Sequence, residues 1–139
     1  MPTASSPVTG VDFVVVPTRD FDASVEFYGT VLGLPCTARY GQMPGAEFET
    51  GSLTLAVIAT EAFGMGFDPN RNPIALQVAD YASARAELES RGVTFSDTID
   101  SGVCHMASFE DPAGNALMIH HRYAPREPRK PARSTGPSD

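Results

Sequence analysis

This sequence lacks both long apolar runs and any sign of a secretion signal. It has no stretch of 18 apolar residues, so we expect no membrane-spanning helix and no membrane partner. The opening residues, MPTASSPVTG, show neither a charged n-region nor an apolar h-region. These two absences predict a cytoplasmic protein.

Cysteine is scarce as well. The 139 residues include two cysteines, Cys36 and Cys104, and their separation matches no zinc or redox spacing. We interpret both as reduced thiols packed as small apolar groups. A chain of this length buries roughly two thirds of its unfolded surface, so it folds without a disulfide or a structural metal.

Basic residues are few and unevenly placed. The chain has 10 Lys and Arg against 17 Asp and Glu, and residues 1–121 carry 5 basic and 15 acidic side chains, a net charge of −10. Such a body repels phosphate backbones, which argues against nucleic acid as a partner, and it attracts a cationic small molecule. The alternative is that the acidic excess only keeps the surface hydrated.

The end of the chain is poor in apolar residues. Residues 124–139 contain four prolines and most of the remaining cations, a composition typical of a tail outside the folded domain. A solvated terminus and a tail that folds back on the acidic body are both compatible with this pattern.

The rest of the sequence contains a repeat of about 60 residues. The first half predicts a strand at 11–16, a helix capped by Asp20 or Asp22 and ended by Gly33, and strands at 36–40, 46–49 and 53–59. The second half repeats this order, with a strand at 74–78, a helix beginning at Asp80-Tyr81 and ending at Gly92, and strands at 93–96, 104–109 and 116–121. We therefore predict an α+β fold of two tandem β-α-β-β-β modules, about 8–60 and 72–122, within one domain spanning 8–122.

This repeat, with the turn Asp111-Pro112-Ala113-Gly114-Asn115 before the last strand, resembles the vicinal oxygen chelate superfamily. That group includes glyoxalase I, extradiol dioxygenases and the bleomycin resistance proteins. The resemblance implies that each half curls into a cup of mixed sheet, and that paired halves, often completed by a homodimer partner, enclose one pocket for a small molecule.

The resemblance also implies where a metal ion would be held. Family enzymes use four strand positions, which fall here on Phe13, Thr54, Pro73 and Met118, and these side chains offer no competent set of nitrogen and oxygen ligands. We therefore expect no metal and no cofactor. A displaced site remains an alternative, built from His120, from His105 if that residue opposes it, and from a carboxylate such as Glu47 or Glu49.

If the strand registers hold, one face of the cup forms an apolar wall with a few polar points, which suits a flat or partly aromatic ligand. The same residues could instead only fill the core. The candidate ligand-binding residues are Phe13, Val15, Thr54, Ala56, Pro73, Ala75, Gln77, Met118 and His120.

The connector at 59–72 contains the apolar segment Phe63-Gly64-Met65-Gly66-Phe67. Because loops are usually polar, this segment must bury against something. A tucked linker, a dimer contact and a flap over the pocket are the three interpretations, in that order of preference.

Three functions follow from these observations. The first is a metal-free protein that sequesters a hydrophobic or cationic metabolite or antibiotic. The second is a metal-independent isomerase, cyclase or lyase with His120 or His105 as general base, assisted by Glu47 or Glu110. The third is a metal-dependent lyase or dioxygenase that uses the displaced site. We favour the first.

Overall fold

The computed structural model of the chain describes residues 5–125, so most of the predicted tail, 126–139, lies outside the described residues. The first half contains β1 (Phe13–Pro17), α1 (Phe21–Glu26) with a π-helical turn (Phe27–Val31), β2 (Cys36–Arg39), β3 (Gly45–Glu49) and β4 (Thr54–Ile58). A 3₁₀ turn (Thr60–Phe63) follows. The second half contains β5 (Ile74–Gln77), α2 (Tyr81–Ser90), β6 (Thr98–Asp100), β7 (Cys104–Glu110) and β8 (Ala116–Arg122).

The four strands of each half form one sheet, and both sheets have the same topology. Their strand orders are β1-β4-β3-β2 and β5-β8-β7-β6. In each sheet the first strand runs parallel to the last, and the other neighbours are antiparallel. The predicted α+β fold of two β-α-β-β-β modules is therefore confirmed.

Both helices begin at an aspartate, as the repeat predicts. Asp20 accepts a hydrogen bond from the backbone N–H of Ala23 at 3.1 Å, and Asp80 accepts one from that of Ser83 at 3.0 Å. These bonds satisfy N–H groups that have no partner within the helix. Of the two candidate caps in the first half, the structure thus selects Asp20 over Asp22.

The predicted strand at 93–96 is wrong. The second strand of the second module is β6, which begins two residues after this segment and pairs with β7 from Thr98 to Asp100. Val93 is buried and Phe95 packs against the hydrophobic core. Their apolar alternation therefore reflects burial of the segment that follows α2, and not pairing within the sheet.

The two modules share one hydrophobic core. Val16, Phe48 and Leu55 of the first module belong to the same buried cluster as Phe109 and Ile119 of the second. In each sheet the residues that alternate with the cluster residues face away from it. We call this side of each sheet the cup face.

A buried polar network joins the modules. Asp111 is 5% exposed and accepts hydrogen bonds from the Tyr28 hydroxyl at 2.7 Å and from the Asn115 side chain at 2.8 Å. The same amide donates to the carbonyl of Pro17 at 2.7 Å. Burial, and then the negative charge of Asp111, raise the pKa of Tyr28 far above its ordinary value. The turn that precedes β8 is thus joined by hydrogen bonds to the π-helical turn after α1 and to β1.

Candidate functional site

The cup face of the first module brings four of the predicted ligand-binding residues together. Phe13 lies opposite Thr54, and Val15 lies opposite Ala56, on the neighbouring parallel strands β1 and β4. Ala56 is fully buried, whereas the Phe13 side chain is 50% exposed. An aromatic ring that is half exposed on a sheet face is available to stack on a planar molecule.

Two carboxylates extend this wall. Glu49 lies opposite Thr54, and Glu47 lies opposite Ala56, on β3. The Thr54 hydroxyl bonds to Glu49, and the Tyr40 hydroxyl donates to Glu47 at 2.6 Å. Burial, with the bond to Glu47 and its negative charge, raises the pKa of Tyr40 to about 12. Tyr40 therefore stays protonated and remains a donor at neutral pH.

These carboxylates were not among the predicted ligand-binding residues, although the sequence carries a signal for them. The segment Ala46-Glu47-Phe48-Glu49 alternates apolar and acidic residues, which places both glutamates on one strand face. Within residues 5–125, neither glutamate takes part in an ion pair with a basic side chain. The carboxylates of Glu47 and Glu49 therefore face the cup, bonded to the hydroxyl groups of Tyr40 and Thr54 and not to a basic side chain among residues 5–125.

The cup face of the second module brings together four more predicted residues. Ala75 lies opposite Met118, and Gln77 lies opposite His120, on the parallel strands β5 and β8. The last predicted residue, Pro73, immediately precedes β5 and is exposed. On the other side of β8, Met106 of β7 lies opposite His120. Met106 was not predicted, because the register of β7 is not visible in the sequence.

The suggestion that His105 opposes His120 is wrong. His105 lies opposite His121, so it is on the side of the sheet that faces away from the cup. There its Nε2 atom lies 3.3 Å from Asp100, and its ring packs in tilted geometry against Tyr81 and Tyr123, with centroid distances of 5.3 and 4.6 Å. Of the two predicted catalytic histidines, His120 alone faces the cup.

The residues at the four family ligand positions do not fit a divalent metal ion. Of the side chains of Phe13, Thr54, Pro73 and Met118, only the Thr54 hydroxyl offers an oxygen, and it is bonded to Glu49. Across residues 5–125 there is no group of three His, Cys, Asp or Glu side chains suited to a metal. The alternative site built from both histidines and a glutamate is not assembled, because His105 lies on the opposite face from His120.

The apolar connector borders the cup of the first module. The ring of Phe63 packs against Tyr40, which bonds to Glu47, with a centroid distance of 6.4 Å. The guanidinium of Arg19 lies 4.7 Å from the centre of the Phe67 ring, whereas Met65 is 50% exposed. Both aromatic residues are thus tucked against the first module.

A separate cleft of about 710 Å³ lies between the modules, outside the cup. Leu32, Leu34 and Leu53 form one side of it, and β5 and α2 form the other. Ala75 and Gln77 border both the cup and this cleft, because β5 is the edge strand of its sheet.

Within the part of the chain that the structure describes, no helix is long and apolar enough to cross a membrane.

Comparison with known proteins agrees with this architecture. The model of the Glyoxalase/Bleomycin resistance protein/Dioxygenase superfamily matches residues 10–119. No curated protein matches the sequence.

Several solved structures share the fold. A glyoxalase/bleomycin resistance protein/dioxygenase from Nocardioides is 26% identical, with a TM-score of 0.65 over 95% of this chain and 92% of that chain. An antibiotic-binding protein from Streptomyces sp. CB03234 is 19% identical, with a TM-score of 0.72 over 85% and 99%. Lactoylglutathione lyase from Agrobacterium tumefaciens is 16% identical, with a TM-score of 0.70 over 83% and 95%.

Proposed function

Because the chain belongs to the glyoxalase/bleomycin resistance protein/dioxygenase superfamily and its four ligand positions do not fit a divalent metal, we propose that it binds a small molecule in the cup and releases it unchanged. The ligand is a planar aromatic compound that carries a positive charge. An antibiotic or a secondary metabolite of this chemistry meets the description.

The observation that carries this proposal is the composition of the wall on the first module. Across three neighbouring strands, the exposed ring of Phe13 is followed by Thr54 and then by Glu49. Strands lie about 4.8 Å apart, so the carboxylate row runs about 10 Å from the aromatic one. A flat apolar body that stacks on Phe13 can therefore place an amine beside Glu47 or Glu49.

The charge of the protein supports the same ligand class. Neither glutamate is neutralised by a basic side chain among residues 5–125, and residues 1–121 carry a net charge of −10. A cationic ligand gains from this field, whereas an anionic one is repelled. The antibiotic-binding protein from Streptomyces shows that the same fold can serve a binding role.

We also propose that the protein acts as a homodimer. Val8 and Val11 are 71% and 68% exposed and lie close together in the sequence just before β1. The edge of β5 that does not pair with β8 borders the cleft between the modules. A second copy that covers Val8 and Val11 would leave the Phe13 ring open to the ligand, and light scattering would report a mass of two chains.

The binding proposal is tested with a matched pair of fluorescent compounds. The first, 9-aminoacridine, is a planar cation at neutral pH, and acridine is its neutral counterpart. We expect 9-aminoacridine to bind with one molecule per chain, to bind about tenfold more tightly than acridine, and to be recovered unchanged by mass spectrometry. The Phe13→Ala variant should lose this binding.

Tyr123→Ala is the matched control, because Tyr123 is also an exposed aromatic residue, at 44%, but packs against His105 on the other side of the sheet. It should bind 9-aminoacridine as the wild type does. Recovery of a modified compound, or equal binding by the wild type and Phe13→Ala, would contradict the proposal.

A further inference from the structure

Three side chains with imidazole nitrogen or thioether sulfur donors are neighbours on the cup face of the second module, and the buried thiol of Cys104 shares that face two residues before Met106. Met106 lies directly opposite His120 on the antiparallel strands β7 and β8. Met118 precedes His120 by two residues on β8 and shares its face. Directly opposed residues have Cβ atoms about 5 Å apart, and diagonal neighbours about 7–8 Å apart. All three side chains are partly buried, so they are accessible from the cup.

The chemistry of this set differs from that of the family's metal ligands. Thioether sulfur is a soft donor that selects Cu(I), and imidazole nitrogen also binds copper, whereas carboxylates suit magnesium, calcium and manganese. Methionine has three rotatable bonds, so two methionines can direct their sulfurs to one point near an imidazole. A His and two Met side chains therefore form a neutral three-coordinate set.

His120 is available to bind an ion through a ring nitrogen. The neighbouring His121 is held by the carbonyl of Val78, 3.1 Å from its Nδ1 atom, on the opposite face. Within residues 5–125 the His120 ring makes no hydrogen bond, and its backbone carbonyl accepts a hydrogen bond from the backbone N–H of Val78, the residue after β5. The hydrogen bonds of this region therefore leave the ring nitrogens of His120 without a partner among residues 5–125.

The local charge favours a monovalent ion. Arg122 follows His120 by two residues on the same strand face, and no carboxylate lies opposite the three donors in the register of β5, β7 and β8. Repulsion by the guanidinium is twice as large for a divalent ion as for a monovalent one at the same place. We propose that Met106, Met118 and His120 bind one Cu(I) ion per chain, a site that is independent of the proposed organic ligand.

The test is an anaerobic titration of the full chain with Cu(I), in competition with bicinchoninate. It uses a Cys36→Ser/Cys104→Ala background, because Cys36 is an exposed thiol and Cys104 is a thiol on the same strand face as Met106, and either would bind Cu(I) by itself. We expect one Cu(I) per chain, with an affinity that falls at least tenfold in Met106→Leu and in Met118→Leu. Leucine preserves the volume and removes the sulfur, so these variants should keep the wild-type circular dichroism spectrum.

Met43→Leu and Met65→Leu are the matched controls, because these methionines are 43% and 50% exposed elsewhere on the surface. They should bind Cu(I) as the background does. The proposal is overturned if the background protein without either cysteine binds no Cu(I), or if Met106→Leu and Met118→Leu bind it as tightly as the controls. A parallel titration with 9-aminoacridine in the absence of copper tests the proposed organic ligand site by itself, so failure of one proposal is distinguishable from failure of the other.

Discussion

Replacing Phe13 by alanine tests whether this residue belongs to a ligand-binding wall or fills the hydrophobic core. Full burial of a phenylalanine side chain stabilises a fold by roughly 1.5–3 kcal/mol. Because Phe13 is 50% exposed, its removal should lower the free energy of unfolding by only about 1 kcal/mol. Phe48 lies on the core side of the same sheet and is fully buried. Its replacement by alanine should cost about 3–5 kcal/mol, because it also leaves a cavity.

The assay is urea unfolding followed by circular dichroism, since the chain has no tryptophan to report by fluorescence. Each variant is measured at two protein concentrations, which separates any contribution of a dimer. Equal losses for Phe13→Ala and Phe48→Ala that do not depend on concentration would show that Phe13 fills a core. In that case the stacking role proposed for Phe13 would be refuted.

Four further predictions concern other parts of the molecule. Tyr28→Phe leaves the Asp111 network one donor short and should cost about 1–3 kcal/mol in urea unfolding; no loss would mean that the network does not join the modules. Hydrogen bonds from Ser83 lower the pKa of Asp80. The stability from this cap is therefore full above about pH 4 and is lost as the pH falls through the lowered pKa, so acid titrations of Asp80→Ala should show a shallower decline than wild type. Changing Glu47 and Glu49 together to glutamine should weaken 9-aminoacridine about tenfold and leave acridine unchanged; equal losses for both would contradict a charge effect. The wild type and His120→Gln should both return 9-aminoacridine unchanged. Conversion of the compound by the wild type that is lost in His120→Gln would instead favour the enzyme alternative.

Much of the fold could be predicted because the repeat is visible in the residues themselves. Asp20 and Asp80 each cap a helix. The strands that precede and follow these helices are visible as apolar or alternating segments of the sequence. The segment at 93–96 has the apolar alternation of a strand, but Val93 and Phe95 are apolar because they pack against the hydrophobic core. A single sequence does not distinguish these two causes of the same pattern.

The candidate site could be predicted only in part, because strand register decides which side chains meet. Alternation places Phe13 and Val15 on one face whatever their neighbours are, and the structure adds Thr54 and Ala56 beside them. His105 and His120 lie on neighbouring strands, but a shift of one residue in register puts them on opposite faces. The glutamates of β3 were visible in the alternation, yet their importance depends on β4 lying between them and Phe13.

In the proposed function the cup face, and not the cleft of about 710 Å³ between the modules, receives the small molecule. Methyl NMR of the full chain during titration with 9-aminoacridine tests this most directly, because Val15 and Ala56 are on the cup face and outside the cleft lining, whereas Leu32 and Leu53 line the cleft. We predict that the methyl signals of Val15 and Ala56 shift while those of Leu32 and Leu53 stay in place. Shifts of Leu32 and Leu53, with Val15 and Ala56 unchanged, would contradict the account.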